Sequence, residues 1–481
     1  MENQNELRSS APLLDAYLNY FESVHTPFTI PGHKQRASLI DAGLGAVVDT
    51  DIPLYGGLDE IKLTNQTLKK SEALAAKLWG ADFARFSTGG STHANQAVIF
   101  ALGQPGDKVA ISRTAHRSVL SALVLAGLEP IWMSPEIDSA TGVPIGISLT
   151  ELQRVLKENP IAVLLTEPGY LGTLSDLKPL IDAAHEKSIP VIVDAAWGGH
   201  FGFHKDLPAH VIAQGADALI TSVHKALPGY SASALLLAQT KYLSAERLEQ
   251  SFETTHTTSP AGAPLASIDA VRALLQTRGS ELLGKLIENV AQFKLAVQAN
   301  FDLPIFLNPS DFAAGRFDPV KIVLRVQQLG CSGVDIERAL IEDGIRVEMA
   351  DRDTIVFLAT LADTEADFQT LAMKLVPILK KLQGAPRESA TALSWSVIPQ
   401  IATSMREAYF ADTEMAPAES AVGRISADLI APYPPGVAVV APGELLTEQI
   451  VSGLVASQKA GVRIAYATDP TLKSFRVVKP R

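Results

Sequence analysis

Short runs of branched apolar residues recur along the chain and are separated by longer amphipathic stretches. Residues 108–111, 162–165 and 190–193 are three of these runs, and residues 68–78 form one of the amphipathic stretches. Apolar runs of this length are typical of strands that are buried on both faces, and the stretches between them are long enough for helices. The pattern predicts the α/β class, with a mostly parallel sheet covered by helices on both faces.

Polar residues follow these runs closely. His116, Glu167 and Asp194 each come soon after the end of one apolar run. Ligands of an open parallel sheet bind in the crevice at the carboxyl ends of its strands. We therefore expect these three side chains to gather toward one crevice.

A lysine follows Asp194 further along the chain, in the tetrapeptide Ser-Val-His-Lys that ends at Lys225. A pyridoxal phosphate enzyme needs both residue types in this order. The lysine amine forms a Schiff base with the cofactor aldehyde, and the carboxylate keeps the pyridine nitrogen protonated so that the ring can take up electrons. Each residue alone has an ordinary alternative, since such an aspartate is often a cap or turn residue and such a lysine is usually solvated.

A glycine-containing turn lies upstream, at residues 87–92 (Ser-Thr-Gly-Gly-Ser-Thr), and precedes the alanine-rich run 93–98. The unpaired N–H groups and the dipole of a helix N-terminus favour an anion, and glycine lets a phosphate approach closely. An ordinary Ser/Thr helix cap is the structural alternative. The order of turn, aspartate and lysine favours a cofactor site, and we call residues 87–92 the phosphate cup.

With these motifs, the chain resembles the fold-type I pyridoxal phosphate enzymes and, among them, the decarboxylases of ornithine, lysine and arginine. The resemblance runs nearly end to end, and its C-terminal motifs are specific to this decarboxylase group. The segments that carry it are residues 31–34, 55–59, 87–92, 113–118, 166–168, 194–197, 222–225, 257–260, 405–410, 423–427, 433–436 and 441–444.

The resemblance implies pyridoxal 5'-phosphate as the cofactor and Lys225, Asp194 and His116 as catalytic residues, with the His116 ring lying over the cofactor ring. The cofactor-binding residues that it implies are Gly90, Ser91, Thr92, His116, Asp194, Trp197, Ser222, His224, Lys225, Thr258 and Ser259. The last two are expected to complete the phosphate site of a neighbouring subunit, because fold-type I enzymes usually build their active sites across a dimer interface. A homodimer or a higher homo-oligomer is the expected assembly.

The reaction that the resemblance implies is decarboxylation of a basic amino acid to its amine and CO2, as in polyamine biosynthesis. Another fold-type I reaction, such as that of an aminotransferase or a lyase, stays open, and so does a catalytically silent regulatory relative. The presence of Asp194, His116 and Lys225 argues against the silent relative. Arg406 could hold a substrate carboxylate in an aminotransferase, but it lies in a decarboxylase-like motif and is assigned to structure.

A basic substrate needs a carboxylate at the far end of its pocket, because a desolvated cation without a partner is costly. Glu444 is the leading candidate for this substrate contact, and a solvated acid near a helix that starts at Leu445 is the alternative. Arginine, lysine and ornithine differ in reach and in the need for a bidentate partner. Arginine is preferred only because of the family resemblance.

Two departures from the family pattern stand out. Many relatives have Asp-Glu-Ala-His where residues 194–197 read Asp-Ala-Ala-Trp, and residues 61–66 lack the usual proline and glycine. The aspartate is kept, so cofactor binding is still expected, whereas substrate entry is expected to differ. The chain also lacks the extra N-terminal domain of the large inducible enzymes, so large rings are not implied.

Composition narrows the partners and the compartment. The net charge of -11 without a basic block argues against nucleic acid. Cys331 is the single cysteine, which excludes an intrachain disulfide, fits a reducing cytoplasm and is interpreted as structural. The N-terminus lacks the features of a signal peptide, and the apolar runs are too short to span a bilayer. We expect a cytoplasmic protein with no membrane partner and no metal site.

The predicted domain order follows from these patterns and from the resemblance. An N-terminal arm is predicted at residues 1–30 and a pyridoxal phosphate-binding large domain at 31–265. Residues 266–384 are predicted to contain an interdomain helix, from 266 to about 290, and a small α+β domain. Residues 384–389 have linker composition, and residues 385–481 are predicted to form the decarboxylase C-terminal domain.

Overall fold

A computed structural model describes residues 2–22, 31, 34, 50–52, 58, 66–387, 397–433, 437–459 and 461–480. Several sequence predictions fall outside these residues. They concern residues 23–30 of the arm, 32–33, 55–57, 59, 61–65, the linker residues 388–389 and residues 434–436.

A seven-stranded sheet is the main structural element of the described residues, with the strand order β1-β7-β6-β5-β4-β2-β3. Strands β2 and β3, β2 and β4, and β4 and β5 pair in parallel, whereas β7 pairs antiparallel with β1 and β6. The predicted parallel arrangement is confirmed, with β7 as the reversed strand. The strands are β1 (Phe83–Ser87), β2 (Lys108–Ser112), β3 (Glu129–Met133), β4 (Val163–Thr166), β5 (Val191–Asp194), β6 (Ala218–Ser222) and β7 (Ala234–Ala238).

Helices alternate with these strands, as the amphipathic stretches predict. Strands β4 and β5 are buried almost throughout because branched apolar residues fill them. The helices of this part are α1 (Glu2–Ser10), α2 (Pro12–Glu22), α3 (Thr67–Trp79), α4 (Gly90–Leu102), α5 (Arg117–Ala126), α6 (Leu149–Val155), α7 (Leu177–His185) and α8 (Ala245–Thr255).

The chain divides into two compact units. The first contains Met1–Ala101 and Ala195–Leu283, and the second contains Leu102–Asp194 and Gly284–Arg481. In the first unit, Asp269 accepts hydrogen bonds from the Leu13 N–H at 2.8 Å and from the Ser71 hydroxyl at 2.8 Å. This buried carboxylate therefore fixes the start of α2 to α3.

A long helix begins near the end of the first unit and continues into the second along the sequence. The predicted helix from 266 to about 290 is confirmed and is longer at both ends, since α9 covers Gly262–Gln298 and has 37 residues. The predicted strands near 322–326 and 354–358 are also confirmed, in an antiparallel sheet of order β8-β10-β9. The elements are β8 (Ile322–Arg325), α10 (Gly333–Glu342), β9 (Met349–Ala350), β10 (Thr354–Phe357) and α11 (Glu365–Leu382).

The C-terminal part contains two antiparallel strand pairs, β11 with β14 and β12 with β13. Its buried cluster includes Val440, Leu446 and Phe475. The elements are α12 (Met405–Phe410), β11 (Thr413–Pro417), α13 (Ala418–Ala421), β12 (Ala431–Tyr433), α14 (Glu448–Lys459), β13 (Arg463–Ala465) and β14 (Ser474–Val478). No described helix has the length and apolar character that crossing a bilayer requires.

Candidate active site

Lys225 lies in the loop that follows β6, within the first unit. Its Nζ atom is 4.6 Å from the centroid of the Trp197 ring, and Trp197 itself is buried. A cation over an indole face is favourable, and the contact restricts where the long lysine side chain can lie. The half-buried Lys225 amine is therefore held against the Trp197 ring.

The phosphate cup meets the same loop through a pair of hydroxyls. The Ser91 Oγ atom at the start of α4 lies 2.8 Å from the Ser222 Oγ atom at the end of β6. Gly90 has a φ of 69°, a left-handed conformation that favours glycine, and its N–H donates to the Ala232 carbonyl at 2.7 Å. The structure thus brings the predicted residues Gly90, Ser91 and Ser222 together at a helix N-terminus.

Of the other predicted residues of this unit, one is bonded to the backbone and three are exposed. The His224 Nδ1 atom is 2.9 Å from the Ser233 carbonyl, so Nδ1 donates there and only Nε2 can reach a ligand. Thr92 is exposed at the first turn of α4, and Thr258 and Ser259 are exposed in the loop after α8. Exposure of these two residues is compatible with a contact to another subunit, which stays a prediction.

Asp194 ends β5 in the second unit and is 1% exposed. Its backbone carbonyl accepts a hydrogen bond from the Glu167 N–H at 3.1 Å, which continues the pairing of β4 with β5. A carboxylate that is desolvated at a strand end favours a cationic or hydrogen-bonding partner. Asp194 therefore has the chemical character that a protonated pyridine nitrogen requires.

His116 is the N-cap residue of α5, a role that the sequence did not reveal. Its Nδ1 atom accepts a hydrogen bond from the Ser118 N–H at 3.2 Å and lies 2.8 Å from the Ser118 hydroxyl. Because a backbone N–H can only donate, Nδ1 carries no proton and Nε2 carries the hydrogen of the neutral ring. The cap fixes both the orientation and the tautomer of the half-buried imidazole.

Glu167 lies directly after β4 and is 2% exposed. Its carboxyl accepts hydrogen bonds from the Ser175 N–H, at 2.9 Å, and from the Ser175 hydroxyl. Burial raises the pKa of Glu167 from 4.5 to about 7, and the Ser175 bonds oppose this shift only in part. The residue is therefore substantially protonated near neutral pH.

Replacing Glu167 with glutamine tests this protonation. Because the pKa of Glu167 is higher in the folded chain than in the unfolded chain, the folded protein is most stable below pH 4.5, where the carboxyl is protonated in both. This stability is lost as the pH rises from 4.5 toward about 7, since the unfolded chain ionises first. Glutamine keeps a neutral hydrogen-bonding group at every pH, so E167Q should gain up to about 3 kcal/mol relative to the wild type between about pH 5 and about pH 8. Scanning calorimetry across that range measures the gain. The exposed Glu158 provides a control, since E158Q should show no such pH-dependent gain.

Glu444 has a different environment from the one that its predicted role requires. Its two oxygens accept hydrogen bonds from the Arg113 guanidinium at 2.6 and 2.9 Å, and both side chains are 1% exposed. The Ala441 N–H donates to the same carboxylate at 2.7 Å. Because internal partners satisfy both oxygens, the geometry argues against Glu444 as the ligand of a substrate cation, and it also corrects the alternative of a solvated acid.

Arg113 is a functional candidate that sequence reasoning missed. It directly follows β2, donates to the Val439 carbonyl at 2.8 Å, and stacks over the Trp132 ring at 4.5 Å. The only sequence signal was its place in the motif that also contains His116. Arg113 therefore ties the strand end that leads to His116 to the C-terminal loop that carries Glu444.

Arg406 has the structural position that its motif indicates. Its guanidinium donates to the carbonyls of Val124 and Leu125 at 3.0 and 2.7 Å, in the last turn of α5. A cation there satisfies free carbonyls and interacts favourably with the helix dipole. Arg406 is thus engaged with the end of a helix.

Each of the two units contains residues that suit a particular part of pyridoxal phosphate. The first unit provides an amine at Lys225 for an aldehyde, and a helix N-terminus with the Ser91 and Ser222 hydroxyls for a phosphate. The second unit provides the buried Asp194 carboxylate for a protonated ring nitrogen. No group of three His, Cys, Asp or Glu side chains in the described part of the chain is arranged to hold a metal ion.

Comparison with known proteins identifies the family of the chain. The family model "Orn/Lys/Arg decarboxylase, major domain" matches residues 11–313, and the model "Orn/Lys/Arg decarboxylase, C-terminal domain" matches residues 389–463. An arginine decarboxylase of Halalkalibacterium halodurans is 32% identical over 98% of this chain and 98% of its own length. An arginine decarboxylase of Bacillus subtilis is 34% identical over 94% of each chain.

A solved structure shows the same fold at lower identity. The crystal structure of lysine decarboxylase from Francisella novicida matches with a TM-score of 0.83 at 20% identity, over 98% of this chain and 81% of that chain. The expected fold, a fold-type I large domain with additional smaller parts, is confirmed by this likeness together with the strand order. By the matches over nearly its whole length, the chain belongs to the Orn/Lys/Arg decarboxylase family, the pyridoxal phosphate-dependent decarboxylases of basic amino acids.

Proposed function

We propose that the protein decarboxylates arginine to its amine and CO2 with pyridoxal 5'-phosphate bound at Lys225. The observation that carries this proposal is the Lys225 amine, which lies over the Trp197 ring in the loop after β6. The last residue of that strand, Ser222, contacts Ser91 of the phosphate cup through its hydroxyl. Arginine is preferred over lysine and ornithine because full-length relatives at 32% and 34% identity carry the name arginine decarboxylase.

Lys225 and the phosphate cup would hold the cofactor at its two ends. The N–H groups at the start of α4 and the Ser91 and Ser222 hydroxyls suit the phosphate, and the Lys225 amine suits the aldehyde. The cofactor, when bound, supplies a protonated ring that accepts the electrons left behind when the carboxylate departs. The chain therefore has to orient the substrate and to keep the ring nitrogen protonated.

Asp194 and His116 would carry out these two tasks. The buried Asp194 carboxylate stabilises a proton on the ring nitrogen, because an ion pair in a desolvated site favours the charged form. The His116 imidazole is fixed by the bonds that its Nδ1 atom makes to Ser118, which leave the ring hydrogen on Nε2. Lying over one face of the cofactor, it would exclude water from that face and leave the other to the substrate carboxylate.

The assembly and the compartment are part of the same proposal. The exposed Thr258 and Ser259 would reach the phosphate of a neighbouring protomer in a homodimer or a higher homo-oligomer. The single Cys331 is buried, which suits a chain that works without disulfides in the cytoplasm. The amine product would enter polyamine biosynthesis.

Product analysis tests the substrate. The cofactor-loaded protein is incubated separately with arginine, lysine and ornithine, and the products are identified by mass spectrometry. We expect a product lighter than arginine by the mass of CO2, formed with kcat/KM at least about tenfold higher than for the other two substrates. A keto acid would instead indicate an aminotransferase, and the absence of any product would favour the silent relative.

A further inference from the structure

Two histidine rings lie behind the phosphate cup and have no part in the chemistry proposed above. His93 belongs to the first turns of α4, and His256 comes directly after α8. Their ring centroids are 4.7 Å apart, and His93 is 5% exposed. The pair therefore connects the cup with the loop that leads to Thr258 and Ser259.

The partners of His93 place a hydrogen on one of its ring nitrogens. Its Nε2 atom lies 3.1 Å from the Phe252 carbonyl, and its Nδ1 atom lies 2.8 Å from the Ser87 hydroxyl. A carbonyl can only accept, so Nε2 carries a hydrogen, and in the neutral ring Nδ1 is an acceptor for the Ser87 hydroxyl, which also lies 3.3 Å from the Gly90 carbonyl. The Ser87 oxygen also accepts a hydrogen bond from the Gly89 N–H at 3.2 Å. His93 is therefore linked through Ser87 to the backbone of the cup.

His256 contacts the cup directly. Its Nε2 atom lies 3.5 Å from the Thr88 N–H nitrogen and 3.3 Å from the Thr88 hydroxyl. The backbone N–H can only donate, so Nε2 must be without a proton, and the hydrogen of the neutral ring lies on Nδ1. Proton uptake would turn Nε2 from an acceptor into a donor and break the bond to the Thr88 N–H.

We infer that His256 is a positioning residue that holds the phosphate cup in its binding shape only while its imidazole is neutral, so that protonation of His256 weakens cofactor binding. The inference rests on the proposed function, since it assumes that the cup binds the cofactor phosphate. It adds a control of cofactor occupancy that acts through the shape of the cup and not through the Lys225 amine or the Asp194 carboxylate.

The electrostatic surroundings agree with a neutral pair. Burial, and next the neighbouring His256, lower the pKa of His93 from 6.5 to about 4, and burial lowers the pKa of His256 from the same ordinary value. Both rings are thus neutral near pH 7 and take up protons only in acid. Arg85 bonds Glu72 at 3.3 Å and also pairs with Glu249. The titratable or charged side chains on the packed elements are Arg85 on β1, His93 on α4, and Glu246, Arg247, Glu249 and Glu253 on α8, with Glu72 of α3 beside Arg85.

The test measures the dissociation constant of pyridoxal phosphate from the full-length protein by equilibrium dialysis and by the absorbance of the bound cofactor. Glutamine at position 256 offers a carbonyl oxygen to the Thr88 N–H at every pH. Affinity is measured in a series of buffers from about pH 7.5 downward, because burial lowers the pKa of His256 below its ordinary value of 6.5. We expect wild type and H256Q to bind equally at about pH 7.5, and wild type to lose up to about tenfold more affinity than H256Q at the acidic end of the series, the effect of one hydrogen bond. H256L, which lacks any acceptor, should bind about tenfold more weakly throughout the series.

His210 provides the matched control in the same unit. It is another histidine whose pKa burial lowers, and its Nδ1 atom accepts from the Ala213 N–H at 3.1 Å, away from the cup. H210Q should therefore keep the wild-type pH dependence. Identical pH dependence in wild type and H256Q would overturn the inference. If H256Q does not fold, H256N replaces it, and the same outcome would overturn the inference. Failure of the wild type to bind the cofactor at any pH of the series would instead overturn the proposed function on which the inference rests.

Discussion

Replacing Glu444 with glutamine is expected to destabilise the folded protein by about 3–5 kcal/mol, the usual cost of removing one partner from a buried ion pair. Arg113 would keep its charge at a site that is 1% exposed and would lose its counter-charge, since the amide oxygen at position 444, the Val439 carbonyl and the Trp132 ring are all neutral. Thermal or denaturant unfolding of E444Q measures this loss. An unfolding free energy close to that of the wild type would show that the pair is not required for stability.

Two further variants separate the buried charge from other effects of the substitution. Glu414 pairs with Arg424 at 2.7 Å in the same C-terminal part, but both side chains are partly exposed. E414Q should therefore cost less than about 1 kcal/mol. The double variant R113M/E444L removes both charges and should recover most of the stability that E444Q loses, because no unpaired ion remains.

Replacing Lys225 with alanine is expected to reduce decarboxylation on the order of a thousandfold or more, as removal of a covalent catalytic group does in other enzymes. The variant should also lose the visible absorbance of the covalently bound cofactor. Activity with the preferred substrate and an absorbance spectrum of the loaded protein measure the two effects. Turnover at the wild-type rate in K225A would exclude Lys225 as the cofactor lysine.

Lys241 offers the matched control for this experiment. Its Nζ atom lies 4.7 Å from the centroid of the Tyr242 ring, so it makes the same type of cation–π contact as Lys225, but it is exposed. K241A removes an equal charge and an equal type of contact in the same unit. It should leave both the activity and the cofactor spectrum unchanged, which separates covalent chemistry from loss of a cation.

The main sheet could be predicted because its strands carry a strong local signal. The runs at 108–111, 162–165 and 190–193 match β2, β4 and β5 to within one residue at each end. Short branched segments between amphipathic stretches leave few alternatives to buried parallel strands. The reversed direction of β7 was not predicted. Its apolar sequence, residues 234–238, suits either direction, because a strand buried on both faces has no alternation that reports its partners.

The site could be predicted only as far as its motifs are local. The cup, Asp194 and Lys225 each carry a recognisable residue type at a strand or helix end. The partner of Glu444 could not be predicted, because Arg113 is 331 residues away in the sequence and only the folded chain brings them together. The tautomers of His93 and His256 depend in the same way on the Phe252 carbonyl and the Thr88 N–H, which no sequence pattern reveals.

Helix α5 is held at both of its ends, and its N-cap residue, His116, is one of the candidate site residues. His116 caps its first turn, and Arg406 from the C-terminal part satisfies the carbonyls of its last turn. Together with the Arg113–Glu444 pair, this makes the C-terminal part a structural support of the segment that carries His116. Exchanging the C-terminal part alone between relatives should therefore disturb this segment, and a chimera has to keep Arg113, Arg406 and Glu444 as a set. Substitutions at these three positions should be tolerated only in combination.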